Sequence, residues 1–544
     1  MTTPTVPVKM VKVEVDGVAV EVDARDNLIE AARRANKHIP YFCYHPRLSI
    51  AAKCRLCLVE TADMPGRLQA GCQVRVKEGM KILTNTPAVK ENQRGVMEFH
   101  LINHPVDCSI CDQAGECKLQ DYYMDYDHQP SRQRTYKLQK PKREEFGPMV
   151  VYDAERCIMC TRCVRFMDEV AQEPQLAVVN RGDHSMISTF PGQPLDSNYS
   201  GNTVDVCPVG ALLNTDFKFK SRVWFVNKSP TVCNGCSNGC NTYVESRANV
   251  LYRLLPRRNE EVNEVWMCDE GRLTYHATNE ARVEWARKGR ADAREEIGPA
   301  LAIDEAKRLL APFAGKPGVA IWISAQCTVE EAQGALTLGA QLGATKYLIG
   351  GKAAGKGDEF LVRADKNPNR RGVELLAQAA GVKLESGDAE GALNGVSALI
   401  AARTDGLANH LSSLERLEVI VALAQNEDAV SRLAQVVLPI NSLYEQAGTL
   451  INYYGRLQRS WPATQAPRGD ALPGWSWTGK LGAALGGPAA IETVQELFAQ
   501  AAAKVPALAG IEFEKISEEG QVLPGLLPTE FPKRAPHPAP VAAV

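Results

Sequence analysis

The sequence predicts two unlike halves: an α+β N-terminal half of small cysteine-bearing modules, and an α/β C-terminal half. Three observations carry this. Fifteen of the 16 cysteines lie in residues 1–268, and only Cys327 follows. Residues 9–37 read as a hairpin and then an amphipathic helix. After residue 300, short apolar strands alternate with helices, the pattern of a parallel sheet with helices on both faces.

In the first element, Val11, Val13 and Val15 point to one face. Val18, Val20 and Val22 resume the alternation after Asp16-Gly17, a strong hairpin signal. Residues 26–37 form a helix with Leu28, Ile29, Ala32 and Ala35 inward. Together they suggest a small sheet wrapped over one helix. A second helix spans 87–103, entered at Pro87, and delivers His104. Residues 128–150 are polar and read as a connector. In the second half, Gly318–Ser324, Tyr347–Ile349, Leu417–Leu423 and Val436–Leu438 are short strands. Thr328 and Glu331 form a capping box that opens a helix. The tail after about residue 520 is rich in Pro and Ala and is expected to be extended or disordered.

The 544 residues are 45% hydrophobic and 23% charged, an ordinary globular balance. With 62 basic and 64 acidic residues the net charge is −2, which gives no reason to expect nucleic acid or an anionic membrane as partner. No run approaches the roughly 18 apolar residues of a membrane span. The N-terminus lacks the basic start and apolar core of a secretory signal, so the expected location is cytoplasmic. Thiols stay reduced there, and clustered cysteines then bind metal or do redox work.

Four ligand sets emerge. The first is Cys43, Cys54, Cys57 and Cys72, a variant of the plant-type [2Fe–2S] spacing with a longer first gap. The second is His104, Cys108, Cys111 and Cys117. A neutral imidazole replacing a thiolate there would raise the cluster potential. The third is Cys157, Cys160 and Cys163 with the remote Cys207-Pro208, the bacterial ferredoxin run. Met167 stands where two-cluster ferredoxins carry a further cysteine. The fourth is Cys233, Cys236, Cys240 and Cys268. Zinc ribbons normally show two Cys-x2-Cys pairs, whereas these sets show single pairs or triples completed by distant residues, which favours iron–sulfur clusters.

The strings HPVDCSICDQAGECKLQDYYMDY, RCIMCTRCVRF and DVCPVGAL resemble the G subunits of bacterial NADH:quinone oxidoreductases, the respiratory complex I family. The resemblance covers roughly residues 9–282. It implies a β-grasp [2Fe–2S] ferredoxin-like domain over 9–86, then a [4Fe–4S] module over 87–127 with one histidine and three cysteines as ligands. A bacterial-ferredoxin-like [4Fe–4S] module over 150–225 and a four-cysteine [4Fe–4S] module of molybdopterin-oxidoreductase type over 226–282 follow. The fourth site occurs in some family members only. More weakly, Glu445, Gly448, Thr449, Asn452, Gly455, Arg456 and Gln458 resemble a stretch of molybdopterin oxidoreductases. Residues 300–480 are therefore expected to form a reduced, degenerate domain of that kind, with no pterin, ahead of a Pro-rich tail at 520–544. Cys327 reads as a buried structural thiol.

The loop Gly350–Gly357 resembles a phosphate loop but has Gly357 where Ser or Thr would hold magnesium. No dinucleotide fingerprint follows a strand, and neither a flavin nor a catalytic residue is expected. The implied function is one-electron relay from a flavin-bearing, NADH-oxidising partner toward quinone-side iron–sulfur subunits, with membrane contact only through the complex, peripheral to the cytoplasmic face of the inner membrane. Arg55, Arg156, Arg162 and Arg165 lie close enough in sequence to bias the clusters toward reduction. The rivals are a relay subunit of an NAD-linked hydrogenase or formate dehydrogenase, and a zinc-stapled structural protein.

Overall fold

The chain folds as two units that divide between Trp224 and Phe225. The computed structural model describes residues 9–464 and 468–526. Among them no helix is long and apolar enough to cross a membrane.

Unit 1 begins with the antiparallel pair β1 (Met10–Val15) and β2 (Val18–Asp23). Asp16 and Gly17 both have positive φ, 46° and 85°, as a tight hairpin turn requires. Val11, Val13 and Val15 are buried, but on β2 only Val22 is, because Val18 sits at the open turn and is 40% exposed. The helix α1 (Leu28–Arg34) is shorter than the expected 26–37. Asn27 takes the N-cap and accepts from Glu30 N at 3.1 Å, and Asn36, at φ 54°, ends the run. β3 (Leu58–Thr61), β4 (Gln69–Ala70) and β5 (Lys81–Leu83) complete a five-stranded sheet of order β2-β1-β5-β3-β4. Leu28, Ile29 and Ala32 pack on it with Val13, Val59 and Ile82.

Next comes α2 (Pro87–Ile102), capped by Thr86 with Pro87 at its first position. α3 (Lys118–Tyr122) follows. β6 (Glu144–Glu145), β7 (Val150–Tyr152) and β10 (Leu212–Asn214) form a small antiparallel sheet. Between β7 and β10 lie α4 (Arg162–Arg165), the hairpin β8 (Leu176–Val179) with β9 (Met186–Thr189), and α5 (Asn202–Asp205).

Unit 2 opens with the antiparallel meander β11 (Asn227–Val232), β12 (Asn241–Arg247) and β13 (Val250–Pro256), then α6 (Asp269–Arg272) and α7 (His276–Asn279). Its main sheet has eight strands: β14 (Arg287–Lys288), β15 (Glu295–Glu296), β16 (Val319–Ser324), β17 (Lys346–Gly350), β18 (Leu384–Ser386), β19 (Ala398–Ala402), β20 (Val419–Ala424) and β21 (Val436–Pro439). The order is β15-β14-β21-β20-β19-β16-β17-β18. β16 to β21 pair parallel, with β14 and β15 an antiparallel edge.

The central strands are continuous apolar runs because both faces are covered. Ile321 and Ile323 join one core with Leu338, Val373, Trp477 and Phe498. These last four come from α9 (Val329–Leu342), α10 (Arg370–Ala379), α13 (Gly474–Ala484) and α14 (Val494–Lys504). Ala320 and Trp322 face the other core with Leu399, Ile420 and Val430. The predicted capping box forms, with Glu331 N donating to Thr328 Oγ1 and Thr328 N to Glu331 Oε2.

One expectation needs correction. The α/β body is wider than 300–480: its sheet reaches back to Arg287, and its core extends forward to Leu523. The predicted tail starts extended, one of its two expected states, and it is paired. β24 (Gln521–Val522) pairs with β23 (Arg456–Ser460), which itself pairs with β22 (Gly448–Ile451). An open edge on β23 and the apolar Leu523, which is buried, tie it down. Residues 527–544 of that predicted tail lie outside the described residues.

Candidate metal centres

All sixteen predicted ligands are brought together in their four sets. In the first, Cys43, Cys54, Cys57 and Cys72 are buried. The side chains pair as Cys43 with Cys54 and Cys57 with Cys72. The bond from Cys54 holds the Cys43 thiol down, and the bond from Cys72 does the same for Cys57. Phe42 N donates to Cys54 Sγ at 3.5 Å. Asn27, the cap of α1, donates through Nδ2 to Cys72 O at 3.1 Å, so the cap fixes the helix and the ligand loop together. Ala52 and Arg55, at φ 48° and 59°, bend the loop around its sulfurs.

In the second set, His104, Cys108, Cys111 and Cys117 line one cavity. His104 Nδ1 is buried without a hydrogen-bond partner. Burial pushes the imidazole down to about 4, so it is neutral, as a ligand must be. Lys137 Nζ donates to the carbonyls of Leu101, at 2.9 Å, and His104, at 2.6 Å, anchoring the end of α2. A Cβ on Gly210 would lie 2.2 Å from Cys111 Sγ, so the cradle admits no side chain there.

The third set, Cys157, Cys160, Cys163 and Cys207, also lines one cavity, closed by Tyr152, Ile187 and Leu212. Met159 and Thr161, at φ 53° and 59°, alternate with the cysteines. Each such residue costs roughly 1–2 kcal/mol, strain that winding three thiols toward one point requires. Burial raises all four thiols, with Cys207 pushed up to about 12. Met167 is fully buried.

In the fourth set, Cys233, Cys236, Cys240 and Cys268 line a cavity with Gly235, Gly271, Leu361 and Lys366. Gly235 N donates to Cys233 Sγ at 3.4 Å, Gly271 N to Cys268 Sγ at 3.3 Å and Asn238 Nδ2 to Cys240 Sγ at 3.1 Å. A Cβ on Gly271 would stand 3.1 Å from both Cys233 Sγ and Cys268 Sγ. Among the described residues, no three His, Cys, Asp or Glu are placed as ligands to one metal ion. In the last three sets the sulfurs instead surround cavities, a fit for a multi-atom cluster.

Sequence reasoning named the flanking arginines but not their partners. Arg55 is exposed. Arg156 is buried and paired with Asp107, Nη2 to Oδ2 at 2.7 Å, and with Asp153. Arg162 and Arg165 bond to main-chain carbonyls. In unit 2, the stretch resembling a cofactor site braces the fourth set: Asn452 Nδ2 donates to Asn238 O at 3.0 Å, and Gln458 Nε2 to Gly239 O at 2.8 Å and Asn241 Oδ1 at 2.9 Å. Glu445 pairs with Arg282 at 2.9 Å and Arg468 at 3.0 Å. Thr449 donates to the buried Glu330 through N, at 3.0 Å, and Oγ1, at 2.8 Å. Asn452 and Gln458 stand in a recognisable stretch, but no motif names the loop carbonyls and amides they bond to. Cys327 is buried with its Sγ 3.3 Å from Ala402 O.

Four family models match. A 2Fe-2S iron-sulfur cluster binding domain matches residues 8–87. The NADH-ubiquinone oxidoreductase-G iron-sulfur binding region matches 93–132. The ferredoxin-like domain of NADH-quinone oxidoreductase subunit 3 matches 147–213, and an NDSU1/NuoG-like 4Fe-4S domain matches 236–276. The NADH-quinone oxidoreductase G subunit of Rickettsia felis is 42% identical over 275 residues, covering 51% of this chain and 41% of that protein. The NADH-ubiquinone oxidoreductase 75 kDa subunit of Reclinomonas americana is 44% identical over 274 residues, 50% of this chain and 39% of that one. The mitochondrial NADH dehydrogenase [ubiquinone] iron-sulfur protein 1 of Solanum tuberosum is 41% identical over 277 residues, 51% and 37%. These matches thus span about two fifths of the relatives' length. A solved NAD+-reducing [NiFe]-hydrogenase in the H2-reduced state is similar at 25% identity and a TM-score of 0.36, over 39% of this chain and 91% of that one, too low a score to carry an argument. The first half of this chain, with its 2Fe-2S and 4Fe-4S binding domains, is homologous to the G subunit of NADH-quinone oxidoreductase and its mitochondrial counterparts.

Proposed function

We propose that this chain is an electron-relay subunit of an NADH:quinone oxidoreductase. One [2Fe–2S] cluster is held by Cys43, Cys54, Cys57 and Cys72. Three [4Fe–4S] clusters are held by His104, Cys108, Cys111 and Cys117; by Cys157, Cys160, Cys163 and Cys207; and by Cys233, Cys236, Cys240 and Cys268. The observation that carries this reading is the gathering of these residues into four sets, with the orphaned Nδ1 of His104 at the second. When bound, such clusters accept and return single electrons.

The chain's own residues supply the rest. Twelve of these fifteen cysteines are buried, which keeps most of the thiols from water. N–H groups of Phe42, Gly235 and Gly271 bond to sulfur and favour the more negative, reduced state. The partners on this reading are a flavin-bearing, NADH-oxidising subunit and quinone-side iron–sulfur subunits. The location is peripheral to the cytoplasmic face of the inner membrane. The domains run 9–86, 87–127, 150–225 and 226–282.

The C-terminal half is a degenerate molybdopterin-oxidoreductase-like scaffold, without pterin or flavin. Two features support this. Asn452 and Gln458 of its Glu445–Gln458 stretch brace the fourth set, and the space beside Cys327 is lined by Glu331 and Arg403, paired to each other at 2.9 Å.

Anaerobic native mass spectrometry of the full chain tests the assignment. A mass increment of fourteen irons with matching sulfide is expected. An increment of ten would leave one [4Fe–4S] site empty. Zinc without sulfide would overturn the relay in favour of a zinc-stapled structural protein.

A further inference from the structure

We propose that Arg165 is a positioning residue shared by the first and third cysteine sets. It locks their two loops together and places one positive charge between them. The inference rests on the electron-relay reading above.

The helix α4 carries Cys163 of the third set, and Arg162 and Arg165 with it. Arg165 Nη2 donates to Cys43 O at 2.7 Å and to Cys160 O at 3.2 Å. These are the carbonyls of one ligand from each set. Nη1 donates to Ser49 O, and Nε donates to Thr161 O at 3.2 Å. Four of the five N–H groups are thus spent on main chain, two on the first set's loop and two on the third's. Glu169, one turn on, bonds Ser49 N at 2.8 Å and Ser49 Oγ, which closes the same joint from the other side. Arg162 repeats the pattern beside it. Its Nη1 donates to Val206 O at 3.1 Å, next to Cys207, and its Nη2 to Tyr44 O, next to Cys43.

The fork matters. A guanidinium presents donors in a fixed plane, which an ammonium cannot copy. The four hydrogen-bond acceptors of Arg165 are neutral carbonyls, and the acidic group that faces it is Glu169, one turn on, which offsets part of its charge. Arg165 is half-buried between the two loops, where its charge is less screened than in water and acts on both at once. An electron added to either set brings a negative charge toward the same cation, so one side chain favours reduction of both.

The test is an EPR-monitored redox titration of the iron-loaded full chain, wild type against Arg165→Met and Arg165→Lys. Signals are assigned set by set with Cys54→Ala, Cys111→Ala, Cys163→Ala and Cys236→Ala controls. Arg165→Met is expected to disfavour reduction about tenfold at both the first and third sets, about 59 mV for one electron, with the second and fourth sets unmoved. Arg165→Lys is expected to recover part of the shift at both. A shift confined to one set, or none, overturns the proposal. Should Arg165→Met lose iron, joint loss from the first and third sets supports the shared joint, and loss from the third alone overturns it. A wild-type chain without iron–sulfur signals would instead overturn the relay reading itself.

Discussion

The third and fourth cysteine sets carry four thiols each, yet the protein holds them by different chemistry. Around the third, arginines bond to main-chain carbonyls, and Met159 and Thr161 take strained left-handed conformations. Around the fourth, the loop turns on Gly235 and Gly239 and is laced by the amides of Asn238, Asn452 and Gln458. An arginine scaffold fixes geometry and adds charge beside the thiols. An amide scaffold fixes geometry and adds none. The nearest cations at the fourth set are partly spent elsewhere, Lys366 on Glu270 at 2.9 Å and Arg363 on Asn238 Oδ1 at 3.3 Å and on Tyr454. The contrast separates a set biased by nearby arginine charge from one biased by hydrogen bonds to its sulfurs.

The largest effects should come from breaking the cradles themselves. Gly210→Ala puts a methyl 2.2 Å from Cys111 Sγ. It is expected to empty the second set and remove four irons from the native mass, with the fourth set intact. Gly271→Ala, whose methyl would meet two sulfurs at 3.1 Å, is expected to weaken the fourth set alone. If iron vanished from every set in either variant, the modules would not be independent and the comparison would fail.

Next in size is the amide lacing. Gln458→Ala removes both bonds from Nε2 and leaves the buried carbonyl of Gly239 short of a donor, at a cost of about 1–3 kcal/mol. Iron release from the fourth set to a chelator should then accelerate, with release from the third set unchanged. Equal acceleration at both would show that the two scaffolds are not separate.

How much of this was legible in the sequence follows from the same contrast. Cysteine spacing reports covalent reach, so the groups of residues that the fold gathers could be written down from residue numbers. The hairpin at Asp16-Gly17 and the Thr328 capping box were equally readable, because both are local. The lacing was not, because Gln458 meets Gly239 across 219 positions and Arg165 meets Cys43 across 122. Polar residues at such separations show no period. The start of the tail is extended, as one of its two expected states had it, but its pairing with β23 and the burial of Leu523 were not readable, because they depend on partners distant in sequence. The Glu445–Gln458 stretch was recognisable as a motif, but its use as a brace depends on partners no motif names.

A smaller effect separates the α/β half by pH. Glu330 is fully buried, and burial pushes its carboxyl up to about 7, against the opposing bonds from Thr449. In the unfolded chain a glutamate titrates near ~4.3. The folded form therefore prefers the proton. The associated stability is fully present below pH ~4.3 and is lost as pH rises through about 7. Unit 2 should be less stable at pH 8 than at pH 5, by on the order of 2 kcal/mol. Glu330→Gln should flatten that slope in thermal melts at several pH values. An unchanged slope would place the ionised carboxylate in the native state.

The smallest effect decides what the C-terminal half has kept. Cys327 lies just ahead of α9, its thiol buried beside Ala402 O and kept protonated by that burial. The main chain there is already held without the sulfur, since Asn369 Nδ2 donates to Cys327 O at 2.7 Å and Cys327 N donates to Ser324 O at 2.9 Å. Arg403, which could meet an anionic ligand beside this thiol, is committed to Glu331 through Nε at 3.0 Å and Nη2 at 2.9 Å. Removing the sulfur therefore deletes packing and little else. Cys327→Ala is expected to cost about 1–2 kcal/mol of stability, with the iron count and every redox signal unchanged. Loss of any metal on that substitution would mean that unit 2 holds a second inorganic site, and that its resemblance to a cofactor domain extends to function.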